Sequence, residues 1–581
     1  MHKGPTSPVI CIYKRRYFYV HKHKVKVTVP GKATVPSEFL QESLHTVLSS
    51  SEEASCPEDV YSGARYDYSK VNAGSGQNET TRYLPSHINK HRNDVSSAYT
   101  SFYDMISELR IRIEIFSINY TPVWGMKQPT QVTANKVPDK LLQATFLSTL
   151  GRSEFIFRMD YYKFFSENAR HRQTSWIGSL RKYLQNPPPE LLWLAGGLPN
   201  ASMFPFCEAK VKLRDGHVIE MGHDLMASAL QYGGPTGYAP LLKHLANLTQ
   251  QLHAPPCWST TQQVMTVGGQ DGLAKAFVML TDPGDYVIIP EPCYAGIFAE
   301  LSALNPRYLA IEEDGEGMKP DVLRSTLARW KAETGGNDPG RQIKFMYMNP
   351  SGSNPSGTTM SEARRREIYA LACEYDFLIL EDDPYYFLQF IDDLPPSFLS
   401  LDTEGRVLRF DSFSKTVSAG LRVGYVTGPK VLVEKISQHI MATVMGSAGL
   451  SQVLIAELFN YWGLDGFHRH VKEVREFYRS KRDAIVLAAE KHLTGLCEWN
   501  VPQGGMFLWL KVLGVKDTEG LLLERGVARN ILLVPGKGFT TKRDLPCQYM
   551  RASYSTITPE QMDKAFRILA EVIREELQRS K

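Results

Sequence analysis

From about residue 155 onward, short apolar runs alternate with longer stretches whose apolar positions recur every three to four residues. Tyr286–Pro290 (YVIIP), Ile343–Met348 (IKFMYM), Phe377–Leu380 (FLIL), Val407–Phe410 (VLRF) and Val423–Thr427 (VGYVT) are brief, apolar and bounded by turn residues. Such runs predict strands buried on both faces, as in a parallel sheet. Between them, Glu362–Tyr375 places Ile368, Leu371 and Ala372 on one helical face. Buried strands separated by helices predict an α/β fold: an open, mostly parallel sheet of seven-stranded type, sandwiched by helices. A charge-laced helical region follows at Val431–Leu493. A smaller α+β unit then holds strands at Met506–Val512, Ile531–Val534 and Tyr549–Tyr554, with a closing helix from Pro559.

The first 158 residues read differently. They contain a Ser/Glu patch at Ser49–Glu53 and a polar stretch around Asn72–Asn93, and only Arg110–Tyr120 alternates like a strand. Without a sustained apolar face, residues 1–158 are expected to be an extension, largely disordered or loosely structured. Residues 159–581 then form the catalytic unit. Within it, about 230–440 make a large cofactor-binding domain, and 159–229 with 441–581 make an N-terminal arm and small domain.

Composition narrows the partners. Sixty-six Lys and Arg against 62 Asp and Glu leave a net charge of +4 over 581 residues, so nucleic acid is not expected as a partner. No apolar run reaches the length of a membrane span, so no membrane is expected either. The eight cysteines form no CxxC pair, which argues against a structural zinc or other metal site and against a disulfide framework. The segment before Glu38 is basic and free of acids; a mitochondrial and a cytoplasmic address both remain open.

The chemistry concentrates in Asp411–Gly424, DSFSKTVSAGLRVG, directly after an apolar run. Lysine forms an imine with a carbonyl once its ammonium gives up a proton, which burial and nearby cations promote. Ser412, Ser414 and Arg422 offer hydrogen bonds and a fixed positive charge suited to a phosphate. A carbonyl cofactor carrying a phosphate is pyridoxal 5′-phosphate, with Lys415 as its covalent partner. Asp382 closes the FLIL strand at the edge where open α/β sheets bind ligands. There it can pair with a pyridine nitrogen, with Tyr385 beside the ring oxygen. The segment NPSGSNPSG (Asn349–Gly357) brings Asn354 toward the same oxygen. VGGQDG (Val267–Gly272) opens a helix, where backbone N–H groups at Gly269 and Gln270 suit a phosphate. Tyr294 can lay its ring on the pyridine. Arg551, in the apolar strand YMRASYS, needs a carboxylate, and either a substrate or an internal partner would satisfy it.

Taken in order with LAGGLPN (Leu194–Asn200), LQY (Leu230–Tyr232) and PQGGMFLW (Pro502–Trp509), these segments resemble fold-type I aminotransferases of class I/II, nearest the kynurenine/2-aminoadipate group. The likeness runs from Met159 to the C-terminus. It implies a homodimer with sites at the subunit interface, and substrate contacts from Gly197, Tyr232, Asn354 and Arg551. Tyr232 would reach in from the neighbouring subunit. The implied reaction is transamination of 2-aminoadipate, kynurenine and other large or aromatic amino acids with 2-oxoglutarate. A broader aromatic or branched-chain aminotransferase, a β-lyase and a non-catalytic regulator on the same fold stay open. Two positions depart from the group. Gly269 stands where a phosphate-loop serine is common, and Gly178 stands where a mobile arginine is expected, with Arg181 close by.

Overall fold

Successive residues of the central strands point to opposite faces of one sheet, and both faces are covered. The computed structural model describes residues 10–13, 16–19 and 159–579, except 175, 177–179, 181–182, 184–187, 193 and 337–341. The chain divides between Arg152 and Ser153 into two units. In the first, Ile10–Tyr13 pairs antiparallel with Arg16–Tyr19; the Arg110–Tyr120 expectation and most of 1–158 lie outside the described residues.

The main sheet of the second unit comprises β1 (Thr261–Thr266), β2 (Tyr286–Glu291), β3 (Arg307–Asp314), β4 (Gly317–Met318), β5 (Ile343–Met348), β6 (Leu378–Asp382), β7 (Val407–Ser412) and β8 (Gly424–Pro429). The order is β1-β8-β7-β6-β5-β2-β3-β4. The β7·β6, β6·β5, β5·β2 and β2·β3 pairs are parallel, while β8 runs antiparallel to both neighbours and β4 folds back on β3. The sheet is therefore mostly parallel, as expected, with the two-residue β4 added to seven longer strands.

Val287, Ile289, Phe345, Tyr347, Leu378, Leu380, Leu408 and Phe410 pack on one face with Leu273 and Phe277 of α1 (Gly269–Leu280). Ile288, Met346, Met348, Ile379 and Val407 point the other way. They meet Leu323 and Leu327 of α2 (Pro320–Thr334) and Ile368, Leu371 and Ala372 of α3 (Glu362–Tyr375). Each fully buried Leu, Ile or Phe contributes about 1.5–3 kcal/mol by leaving water, so these two layers hold the sheet in place.

The long helical region is interrupted. Helix α4 (Lys430–Thr443) ends before Met445 and Gly446, both at positive φ, and α5 (Gly449–Leu493) breaks at Gly463, φ 59°. Helix α5 then leads to a four-stranded sheet of β9 (Cys497–Trp499), β10 (Phe507–Val512), β11 (Val534–Pro535) and β12 (Tyr549–Ser553), covered by α6 (Pro559–Arg579). The expected Ile531–Val534 strand needs correction: only Val534 and Pro535 pair with β12. Asn530 takes a left-handed φ of 59° just before it, and Pro535 has no N–H to extend the ladder. Among the described residues no helix is long and apolar enough to cross a membrane.

Candidate active site

The strands of the main sheet end in loops that converge on a cavity of about 250 Å³. Strand β6 delivers Asp382, the loop after β5 delivers Asn349 and Asn354, the end of β7 delivers Ser412, and the loop after it delivers Ser414 and Lys415. Helix α1 contributes Gly269 and Gln270, and Tyr294 follows β2. All ten residues assigned to the cofactor in the sequence thus line one space: Gly269, Gln270, Tyr294, Asn354, Asp382, Tyr385, Ser412, Ser414, Lys415 and Arg422. The local backbone explains the convergence. Ser353 N–H and Gly357 N–H close turns onto Thr358 and Ser353 carbonyls, and Asn354 N–H donates to Asn349 Oδ1 at 2.9 Å.

One wall is rich in hydrogen-bond donors. Gly268 caps α1 with φ 78°, and a Cβ there would stand 2.3 Å from Arg422 Nη2, so only glycine fits. The first N–H groups of α1 have no helical partners. Arg422 donates to Ser414 Oγ at 3.3 Å and Val267 O at 3.2 Å, and Ser412 Oγ donates to Ser414 Oγ at 3.0 Å. Gln270 Nε2 donates to Gly296 O, and its buried Oε1 has no partner among the described residues.

Asp382 is the carboxylate of the cavity. Tyr347 donates to its Oδ2 at 2.7 Å and Asn349 Nδ2 to its main-chain oxygen at 2.6 Å. Burial pushes the Asp382 carboxyl up to about 7, against the Tyr347 hydrogen bond, with Asp383 and Asp411 adding to the rise. Lys415 Nζ lies 5.9 Å from the centre of the Tyr385 ring. Burial holds its ammonium below the usual lysine range, helped by Arg422 and then Arg551, while Asp382 works the other way. That is the direction a nucleophilic amine requires. Burial likewise raises the hydroxyls of Tyr385 and Tyr294, so both are donors at neutral pH.

Arg551, on β12, reaches the site through Asn354, donating from Nη1 to Oδ1 at 2.9 Å. Its guanidinium carbon sits 4.2 Å from the Phe507 ring centre and 5.0 Å from that of Phe539. Gly197 and Tyr232 are not brought to this cavity within the chain; both are exposed. Gly178 and Arg181 lie outside the described residues. Sequence reasoning passed over Tyr347, Asn349, Pro384, Ala419 and Phe507. For Tyr347 and Asn349 a signal existed, a tyrosine one place before the end of a buried strand and an asparagine opening the loop after it.

A basic wall with a helix start, a buried carboxylate and a half-buried amine in one cavity is a donor set that fits pyridoxal 5′-phosphate, and the unpartnered Gln270 Oε1 leaves a polar position for a ligand. Residues 195–569 match the family model for aminotransferases of class I and II. The chain belongs to that family. As a class I and II aminotransferase it is a transaminase that uses pyridoxal 5′-phosphate and acts on amino and oxo acids. The aminotransferase is 43% identical over 425 residues to a protein of Bos taurus named kynurenine/alpha-aminoadipate aminotransferase, mitochondrial, covering 72% of this chain and 100% of the relative. Its structure is similar to the aromatic aminotransferase Aro9 from C. albicans, with a TM-score of 0.64 and 26% identity over 73% of this chain and 99% of that one. It is also similar to a Pyrococcus horikoshii kynurenine aminotransferase in complex with PMP, with a TM-score of 0.57 and 30% identity over 74% and 99%.

Proposed function

We propose that this aminotransferase moves amino groups from 2-aminoadipate, kynurenine and related large or aromatic amino acids to 2-oxoglutarate. The observation that carries the reading is the meeting of Lys415, Asp382 and the Ser412–Ser414–Arg422 wall around one cavity, with Arg551 bonded to Asn354 of its lining. The names of the bovine and archaeal relatives support the substrates, and that of the C. albicans structure supports a wider aromatic range.

Bound pyridoxal phosphate supplies a carbonyl for the substrate amine and a ring that accepts electrons from Cα. The chain's residues do the rest. In this reading Gly269, Gln270, Ser412, Ser414 and Arg422 anchor the phosphate. Asp382 holds the ring nitrogen protonated, Tyr294 covers the ring face, and Asn354 and Tyr385 donate to the ring oxygen. Arg551 grips the substrate α-carboxylate with its planar fork. Lys415 Nζ takes the proton from Cα and returns it one step along, as general base and then acid.

Leu192, Leu194, Met203 and Phe206 are 86%, 95%, 80% and 65% exposed, and Tyr232 is 56% exposed. An apolar surface of this kind supports a homodimer in which Gly197 and Tyr232 complete the partner's site. Residues 159–229 with 441–581 are read as arm and small domain around a large domain of about 230–440, with 1–158 an extension outside the catalytic unit. The relatives' names favour a mitochondrial over a cytoplasmic address, which cell fractionation checks.

The test mixes the purified protein with 2-aminoadipate or kynurenine and follows glutamate formed from 2-oxoglutarate. Spectral change with 2-aminoadipate and glutamate production support the reading; release of pyruvate and ammonia from a cysteine S-conjugate, whose thiolate can leave from Cβ, without glutamate formation from the large donors would make it a β-lyase. No glutamate with any large donor defeats the substrate assignment.

A further inference from the structure

We propose that Tyr347 is a positioning residue for the cofactor, locking the Asp382 carboxylate in the rotamer that presents Oδ1 to the pyridine nitrogen. The inference rests on the reading of Asp382 as the ring-nitrogen partner. Tyr347 is the penultimate residue of β5, fully buried, with its ring edge-to-face against Phe277 at 6.3 Å. A phenol in that apolar layer must find an acceptor. Strand register supplies one. Leu380 stands opposite Tyr347 in the parallel β5·β6 ladder, so Asp382, two residues on, projects from the same face. The resulting bond to Oδ2 is 2.7 Å, and the Asn349 bond to the Asp382 main-chain oxygen pins the backbone of the same residue. Asn349 Oδ1 in turn receives Asn354 N–H, and Asn354 Oδ1 receives Arg551. One chain of hydrogen bonds thus joins the ring-nitrogen partner to the groups assigned to the ring oxygen and the substrate carboxylate.

The bond also acts on charge. Burial, Asp383 and Asp411 drive Asp382 toward its neutral form, which cannot hold a ring nitrogen protonated; Tyr347 and Arg409 oppose them. Lys415, Tyr294, Tyr385 and the buried Cys293 thiol are the other titratable groups that interact with it. Of the opposing pair, only Tyr347 bonds Asp382 directly, since Arg409 is engaged by Glu381, Asp383 and Asp411.

The experiment compares Y347F, D382N and the double variant as full-length proteins. Refilling apoenzyme with pyridoxal phosphate gives the affinity, and gel filtration between about pH 5 and 8.5 gives the pH at which the cofactor is released. Melting of each apoenzyme reports packing separately. Y347F is expected to bind about tenfold more weakly and to release cofactor on acidification at a midpoint about one pH unit higher. D382N is expected to lose more, and Y347F to cost little further in that background, because a positioning residue has nothing left to position. Parental affinity and midpoint in Y347F overturn the proposal. So does a full additive loss in the double variant, which marks a packing role. If D382N alone binds like the parent, the assignment of Asp382 falls and this inference with it.

Discussion

Arg551 donates to Asn354 Oδ1 at 2.9 Å while its guanidinium is held between the rings of Phe507 and Phe539. Its buried Nε has no partner among the described residues, so the fork is fixed in plane with a donor to spare. Lysine keeps the charge but presents its donors from a single nitrogen, without the planar two-nitrogen fork. R551K is therefore expected to lower kcat/KM about 100-fold for every amino acid and oxo acid alike, the loss of a bidentate charged pair. The visible spectrum should stay that of the parent. A loss confined to one substrate would contradict a shared role in α-carboxylate binding.

Lys415 tests the covalent step most directly. K415A removes the one amine lining the cavity and leaves the donor wall intact. The variant should fold, bind pyridoxal phosphate through that wall, and resist borohydride attachment at position 415 as read by peptide mass. Turnover should fall by at least about 10⁴-fold, as is typical when a covalent partner that is also the proton carrier is deleted. Retained turnover would disprove its role.

The phosphate wall makes a prediction through backbone geometry. G268A puts a methyl group 2.3 Å from Arg422 Nη2 at a φ of 78°, so either the arginine or the start of α1 must shift. We expect a tenfold or greater loss of cofactor affinity and about 1–3 kcal/mol of strain in the fold. G420A, where nothing lies within 4 Å of the added carbon, serves as the neutral comparison. Equal affinities in the two variants would show that the Gly268–Arg422 contact does not shape the site.

Much of this site was legible because its chemistry sits at the ends of apolar runs. IKFMYM, FLIL and VLRF announce β5, β6 and β7, and the groups following each in sequence meet in space, since parallel strands bring their carboxyl ends to one edge. What escaped were elements whose stability is tertiary. Strand β1 begins Thr-Gln-Gln, and its Gln263 is tolerated in the core by donating to Thr249 and Thr427. Arg365 and Arg409, fully buried behind the site, carry no sign of burial in the sequence. They are held by partners from three segments: Glu381 and Asp383, Asp411, and the Pro350 and Met360 carbonyls. The Ile531–Val534 run looked like a strand because it is apolar, yet Leu532 is 69% exposed and only the last residue joins the ladder.

Asp382 also gives the apoenzyme a pH signature of definite sign. With its carboxyl pushed up to about 7 by burial, the folded chain holds a proton that the unfolded chain has already released above roughly pH 4. The stability contributed by that proton is complete below the unfolded value and is lost as pH rises through 7. Apoenzyme should therefore unfold more easily at pH 8 than at pH 5, by an amount on the order of 2–4 kcal/mol from this group. Asp411, pushed up to about 6, and Glu313, pushed up to about 8, act with the same sign, so D382N should flatten the decline without abolishing it. If Asp382 partners the ring nitrogen as proposed, filling the site with cofactor would set a positive charge against the carboxylate, lower its protonation pH and flatten the slope. Urea unfolding of apo and filled protein at both pH values measures this. Parallel slopes for the parent and D382N apoenzymes would mean that Asp382 is ionised throughout, and the burial argument for it would be wrong.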